Sequence, residues 1–178
     1  MPFQIPSTAF SLRGSTTVQA PIDMLYSYLL KSPGEKDMAL YNHSGRWLGM
    51  YPIPSFQREL CWDRERQIKL IESVWLGFSI GTYVVNDLNM ETVQGRFHPL
   101  QDMLIDGQQR LEAFRAYFMD EFPVFGARWS ELPMLENRRF RNTVFPFIKV
   151  YILDEDKLRE AYNRLAFGGV AHTEAQRA

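Results

Sequence analysis

The chain has 178 residues, 46% of them hydrophobic and 23% charged, so it is long and apolar enough to bury a core and is not a disordered polypeptide. Lys plus Arg is 20 and Asp plus Glu is 21, a net charge of −1 that excludes coating of nucleic acid by bulk charge but allows a local basic patch. Cys61 is the only cysteine, which excludes an intramolecular disulfide and a thiolate metal cluster, and His43, His98 and His172 lack the spacing of a zinc motif.

Residues 1–20 are polar and without strong periodicity, and read as an arm or a first edge strand. From Pro21 onward Ile22, Leu25, Tyr26, Leu29 and Leu30 have helical spacing, with proline at a tolerated first-turn position. Ser32-Pro33-Gly34 ends that helix, and residues 35–50 read as a loop broken by Gly45 and Gly49. Pro52 and Pro54 hold residues 51–58 extended. Asp63 is a suitable N-cap for a helix carrying Ile68, Leu70, Ile71, Val74, Trp75 and Leu76, closed by Gly77. Residues 80–85, IGTYVV, predict a strand, and residues 86–101 a polar hairpin or loop. Met103-Leu104-Ile105 is a short apolar strand that runs into Asp106-Gly107-Gln108-Gln109-Arg110, after which Leu111, Phe114, Tyr117 and Phe118 recur at helical spacing. Residues 123–142 read as an irregular connection carrying Arg138, Arg139 and Arg141. Residues 145–153 predict a second strong strand, and Asp154 caps a last helix ended by Gly168-Gly169 and a short tail. Interleaved helices and strands predict an α+β protein, a small mixed sheet with packed helices, as a single domain over residues 21–178.

Chemistry concentrates at three places. At 106–110 a strand stops and a helix starts, so N–H groups without intrahelical partners and the positive end of the helix dipole make an anion site, with Gly107 allowing a tight turn. Arg110 in that first turn opposes the dipole unless it holds an anion, so its removal is expected to abolish phosphate binding at little cost in stability. The alternative is that Asp106 is a plain N-cap and Gln108, Gln109 and Arg110 a solvated turn. At 56–58, Arg58 follows the stiff Pro-x-Pro segment and is held ready to bind, or else simply packs on Trp62. At 162–164, Tyr162-Asn163-Arg164 precedes a glycine stop, and Arg164 is either a ligand group or an ordinary basic last turn.

The ordered set of motifs at 51–62, 104–110 and 162–169, with Phe78-Ser79-Ile80-Gly81 between the first two, resembles the N-terminal domain of GmrSD-type modification-dependent restriction systems, in the ParB/sulfiredoxin-like superfamily. The resemblance spans roughly residues 50–175. It implies a ParB/sulfiredoxin-like cleft that binds a nucleoside triphosphate and, in such restriction systems, hydrolyses it to license a separate nuclease. On these residues it implies that Arg58 and Arg110 hold phosphate oxygens and that the N–H groups of Gly107, Gln108 and their neighbours cradle a phosphate. Asp106 would hold Mg²⁺, Gln109 or Gln57 would orient the attacking water, and Arg164 would close the far side. Gln109 stands where sulfiredoxin has its cysteine, so sulfiredoxin activity is not expected, and Ala166 stands where many relatives have Asn. No His–Asn–His constellation is visible, so nuclease activity is not expected either. Compact versions of this kind resemble phage-encoded or accessory proteins.

The competing reading is a non-enzymatic module that binds nucleic acid or a restriction or defence protein through the same basic cleft, favoured by the alternation in Arg138-Arg139-Phe140-Arg141. The N-terminus has no signal-peptide pattern and no window is apolar enough to span a bilayer, so a cytoplasmic protein without membrane contact is expected.

Overall fold

A computed structural model describes residues 14–41, 45–88 and 97–167; His43, His172, Gly168-Gly169 and most of the expected N-terminal arm lie outside the described residues. In chain order the elements are β1 (Thr16–Val18), α1 (Ile22–Leu29), α2 (Glu35–Met38), β2 (Trp47–Leu48), β3 (Tyr51–Pro52), α3 (Arg64–Trp75), β4 (Tyr83–Asn86), β5 (Met103–Asp106), α4 (Gln108–Phe118), α5 (Met134–Arg141), β6 (Phe147–Val150) and α6 (Glu155–Phe167), with a 3-10 turn at Trp129–Glu131. The four-stranded sheet has the order β1-β6-β4-β5. Its central pair, β4 and β6, is parallel, and the outer strands β1 and β5 are antiparallel to their neighbours. The protein is thus α+β with a small mixed sheet, and the polar N-terminal stretch does supply an edge strand.

The two-residue period of the strands divides the core between the sheet's faces. Tyr83, Val85, Leu104 and Phe147 point to one face, where they pack with Leu25 of α1, Ile71 of α3, Phe114 of α4 and Phe140 of α5. Val84, Met103, Ile105 and Val150 point to the other, where Leu158, Ala161 and Tyr162 of α6 cover them. All four residues of β4 are buried, as a central strand covered on both faces requires. At the last paired position of β4, the buried Asn86 side chain donates to the carbonyls of Leu100 and Ile152 and accepts from the Ile152 N–H, so its amide stands in for a peptide group.

Local chemistry explains where elements begin and end. The Asp63 carboxylate accepts from the Arg66 N–H at 2.8 Å and opens α3. Gly77, at φ 78°, closes α3: its N–H donates to the Val74 carbonyl and the Phe78 N–H to the Ser73 carbonyl, the paired bonds of a Schellman stop. Asp154 likewise caps α6, accepting from the Lys157 N–H at 3.0 Å.

The structure corrects four expectations about the elements. Residues 35–50 include α2 and β2 rather than a plain loop. Residues 123–142 include the 3-10 turn and α5. Within α5, Phe140 is 1% exposed in the core and Arg141 pairs with Asp23 and lies over the Tyr26 ring, so the basic–aromatic run is not a stacking platform for nucleic acid. Finally, β4 starts at Tyr83 and not at 80, because the Arg110 guanidinium takes the carbonyls of Ile80 and Thr82.

Candidate functional site

At the carboxyl end of β5 a cleft of about 260 Å³ opens beside the first turn of α4. Its floor is Asp106-Gly107-Gln108-Gln109-Arg110, one wall is Gln57, Arg58 and Trp62, and the other is Tyr162, Leu165 and Ala166 of α6. The three motifs, far apart in sequence, therefore meet in one place. The volume lies a little below the roughly 300–1,000 Å³ of small-molecule sites.

Gly107 makes the turn from strand to helix. Its φ is 98°, and a Cβ there would stand 2.6 Å from the Tyr83 Cβ, so both conformation and space demand glycine. Gly107, not Asp106, is the N-cap residue of α4, and no side chain caps this end. The first N–H groups of α4 have no intrahelical acceptors by construction, and the residues that carry them line the cleft floor. Asp106 instead turns to Arg110, with Oδ2 2.7 Å from Nη2.

Arg110 finds the anion that its place in the first turn calls for, and finds it within the chain. Nη2 also donates to the Thr82 carbonyl at 2.7 Å, and Nη1 makes a longer 3.4 Å contact with the Ile80 carbonyl. Gly81 leaves room for this, since a Cβ there would lie 3.0 Å from Nη1. Arg110 lines the cleft as expected, but it is also the bolt between the turn before β4 and the turn after β5. The expectation that its removal costs little stability is corrected accordingly.

The glutamines act on backbone. Gln57, 4% exposed, donates through Nε2 to the carbonyls of Leu104 and Ile105, while its Oε1 is buried without a hydrogen-bond partner among the described residues. Gln108 Nε2 donates to the Arg58 carbonyl at 2.7 Å. Gln109 Oε1 accepts from the N–H groups of Cys61 and Trp62 at 3.0 and 3.1 Å, and its Nε2 donates to the Glu59 carbonyl at 3.1 Å. Both acceptor positions of Gln109 Oε1 and one Nε2 N–H are thus engaged in holding residues 59–62 against α4, which leaves it no acceptor for an attacking water. The solvated-turn alternative fails for the same reason, because Gln108 and Gln109 are each only 6% exposed.

Arg58 differs from Arg110. Its backbone is fixed on two sides, the carbonyl by Gln108 and the N–H by the Tyr162 hydroxyl at 3.4 Å. Its side chain is exposed at the cleft and makes no hydrogen bond or ion pair among the described residues. Arg164 is not brought to the site: its guanidinium pairs with Glu160 one turn back at 2.7 Å, and it does not line the cleft. Tyr162, Leu165 and Ala166 occupy that wall instead, on the helix face that carries Leu158 and Ala161 into the core. The i, i+3, i+4, i+7 spacing from Leu158 is the signal in the sequence that would have selected Tyr162 over Arg164.

No curated protein and no solved structure matches the chain. Residues 39–175 match the family described as GmrSD restriction endonuclease, N-terminal domain, a range that covers the floor and both walls of the cleft. Among the described residues no helix is long and apolar enough to cross a membrane. With the match extending over most of the sequence, the chain belongs to the family of the N-terminal domain of GmrSD restriction endonucleases.

Proposed function

We propose that the cleft binds the phosphates of a nucleoside triphosphate and that the domain serves a restriction or defence system as its nucleotide-responsive part. The observation that carries the reading is Arg58: a cation on a backbone clamped by Gln108 and Tyr162, without an internal partner among the described residues, beside the open N–H groups of α4. The extended Pro52–Pro54 lead and the two clamps hold Arg58 near its working position, so little freedom is lost when it engages phosphate. The Arg110 guanidinium on the floor is balanced by the Asp106 carboxylate, which leaves Arg58 as the uncompensated cation of the cleft lining.

Asp106 fits a Mg²⁺ ligand. Arg110 takes one of its carboxylate oxygens, leaving the other for an ion that the ligand's phosphates would complete. Mg²⁺ characteristically uses one or two carboxylates and retains waters, and no group of three metal-binding side chains exists among the described residues, so such an ion would arrive with the phosphates. Of the amides assigned to water, Gln109 has both acceptor positions taken and the unpartnered Gln57 acceptor is buried, so the reading is of binding first.

Calorimetric titration with ATP, GTP, CTP and UTP, with and without Mg²⁺, tests the proposal. Arg58→Ala is expected to weaken binding about ten- to hundred-fold, the loss of one charge-assisted contact of about 1.5–3 kcal/mol, with an unchanged melting temperature. Equal affinity in parent and variant would sink it. Released phosphate tests turnover separately, and a salt series separates a nucleotide in a cleft from DNA, whose binding falls steeply with salt.

A further inference from the structure

We infer that Trp62 and the groove it begins on α3 form the subsite for the base of that nucleotide, an inference that rests on the phosphate reading of the cleft. Trp62 is shared: it lines the cleft beside Arg58 and Gln109, and it also lines a shallow groove on α3 with Arg66, Lys69, Leu70 and Ser73. The phosphate floor thus continues into a half-exposed aromatic side chain and then an apolar strip edged by cations. That sequence of surfaces matches a nucleotide, whose charged phosphates give way to a flat, polarisable base.

Trp62 is placed, not merely present. Its backbone N–H donates to Gln109 Oε1, of the residue next to Arg110 in the motif, and Asp63, the N-cap of α3, follows directly. This gives Gln109 a function that a water-orienting role did not. A second cavity, behind residues 59–60 and lined in part by Trp47, Leu48 and Leu60, also touches Gln108. Its charged rim is closed by the pairs Arg46–Glu59 and Arg115–Glu112. On the Trp62 side Lys69 pairs with Glu65, but Arg66 makes no side-chain ion pair among the described residues. The groove therefore has the better means of holding a polar ligand's outer end.

An aromatic stack reads the face of a base and not its hydrogen-bonding edge, so affinities for ATP, GTP, CTP and UTP are expected to fall within about tenfold of one another. The test compares these nucleotides with inorganic tripolyphosphate, which has the charge and no base. In the parent protein each nucleotide is expected to bind about five- to hundred-fold more tightly than tripolyphosphate, and to quench tryptophan fluorescence where tripolyphosphate does not. Trp62→Ala should remove the nucleotide advantage and leave tripolyphosphate affinity unchanged. Trp62→Phe, which keeps a ring and protects against a folding defect, should keep part of the advantage and lose the quenching.

Failure of every nucleotide and of tripolyphosphate to bind the parent overturns the phosphate reading itself. Equal binding of nucleotide and tripolyphosphate, or quenching that persists in Trp62→Phe, overturns the base subsite alone. So does Leu60→Ser, if it selectively weakens nucleotides, because the base would then lie in the second cavity.

Discussion

At the scale of single residues, the two arginines of the cleft divide the work, and their substitutions separate stability from binding. Arg110→Ala strips donors from the Thr82 and Ile80 carbonyls and leaves Asp106 without its partner. A loss of about 1–3 kcal/mol is expected in urea unfolding, with Arg110→Lys recovering only the part owed to Asp106, since an ammonium lacks the planar fork. An Arg110→Ala protein as stable as the parent would remove the bolting role. Asp102 offers a test by pH. It sits at φ 58°, and burial, with Asp87 nearby, raises its carboxyl above the usual carboxylate range despite hydrogen bonds from Gln101 and Tyr41. A folded-state value above the unfolded one means that the native state holds the proton more tightly, so this group's contribution falls as pH rises out of the range near 4 where the unfolded carboxyl titrates. Asp102→Asn keeps a residue that tolerates positive φ and removes the charge. It should raise the melting temperature at pH 7, by an amount that shrinks toward pH 4; a destabilised variant at pH 7 would show that Lys149 and Asp87 depend on the Asp102 charge.

At the scale of elements, the turn from β5 into α4 tolerates least. Gly107→Ala combines a left-handed conformation, about 1–2 kcal/mol for a residue with a Cβ, with overlap against Tyr83, about 1–3 kcal/mol more. The variant should fail to fold or melt far below the parent, as circular dichroism would register. Gln109→Ala should be milder and local: amide exchange at Cys61 and Trp62 should accelerate while the amides of α4 stay protected. Elements of this kind were legible in the sequence. The Asp63 cap, the Gly77 stop, the apolar period of α3 and α4 and the glycine of the turn are local signals, and each element stands where its signal lies. What was illegible depends on tertiary partners. In α5 only Phe140 is buried while Met134 and Leu135 are 83% and 74% exposed, so no periodic stripe announces a helix. β2 and β3 are two residues each and exist by pairing with one another. The start of β4 is set by a guanidinium from the following helix, and Arg164 was favoured over Tyr162 because charge draws attention where helical phase decides.

At the scale of the whole molecule, the sheet separates a larger core from a smaller one. The larger carries the tilted and edge-on rings of Phe114, Phe118, Trp129 and Phe140, whereas α6 is held by Leu158, Ala161 and Tyr162. Less apolar surface anchors α6, so its amides should exchange faster than those of α4 in the free protein. Because Tyr162, Leu165 and Ala166 form one wall of the cleft, a bound nucleotide should slow exchange in α6 more than in α1, and equal slowing in both would count against a ligand on that wall. The frame of the cleft has one further consequence. The side chains that tie its strands and loops together, Gln57, Gln108 and Gln109, are amides, and an amide neither gains nor loses a proton in water near neutrality. These amide ties are thus independent of acidity between about pH 5 and 9, and dissolved ions, which screen charges, have little hold on them, in contrast to the Arg110–Asp106 pair. If affinity for a phosphate ligand changes across that range, the cause is the ligand's own last ionisation, near pH 6 for a phosphate monoester, and the protein is a fixed receptor that reports its guest's charge.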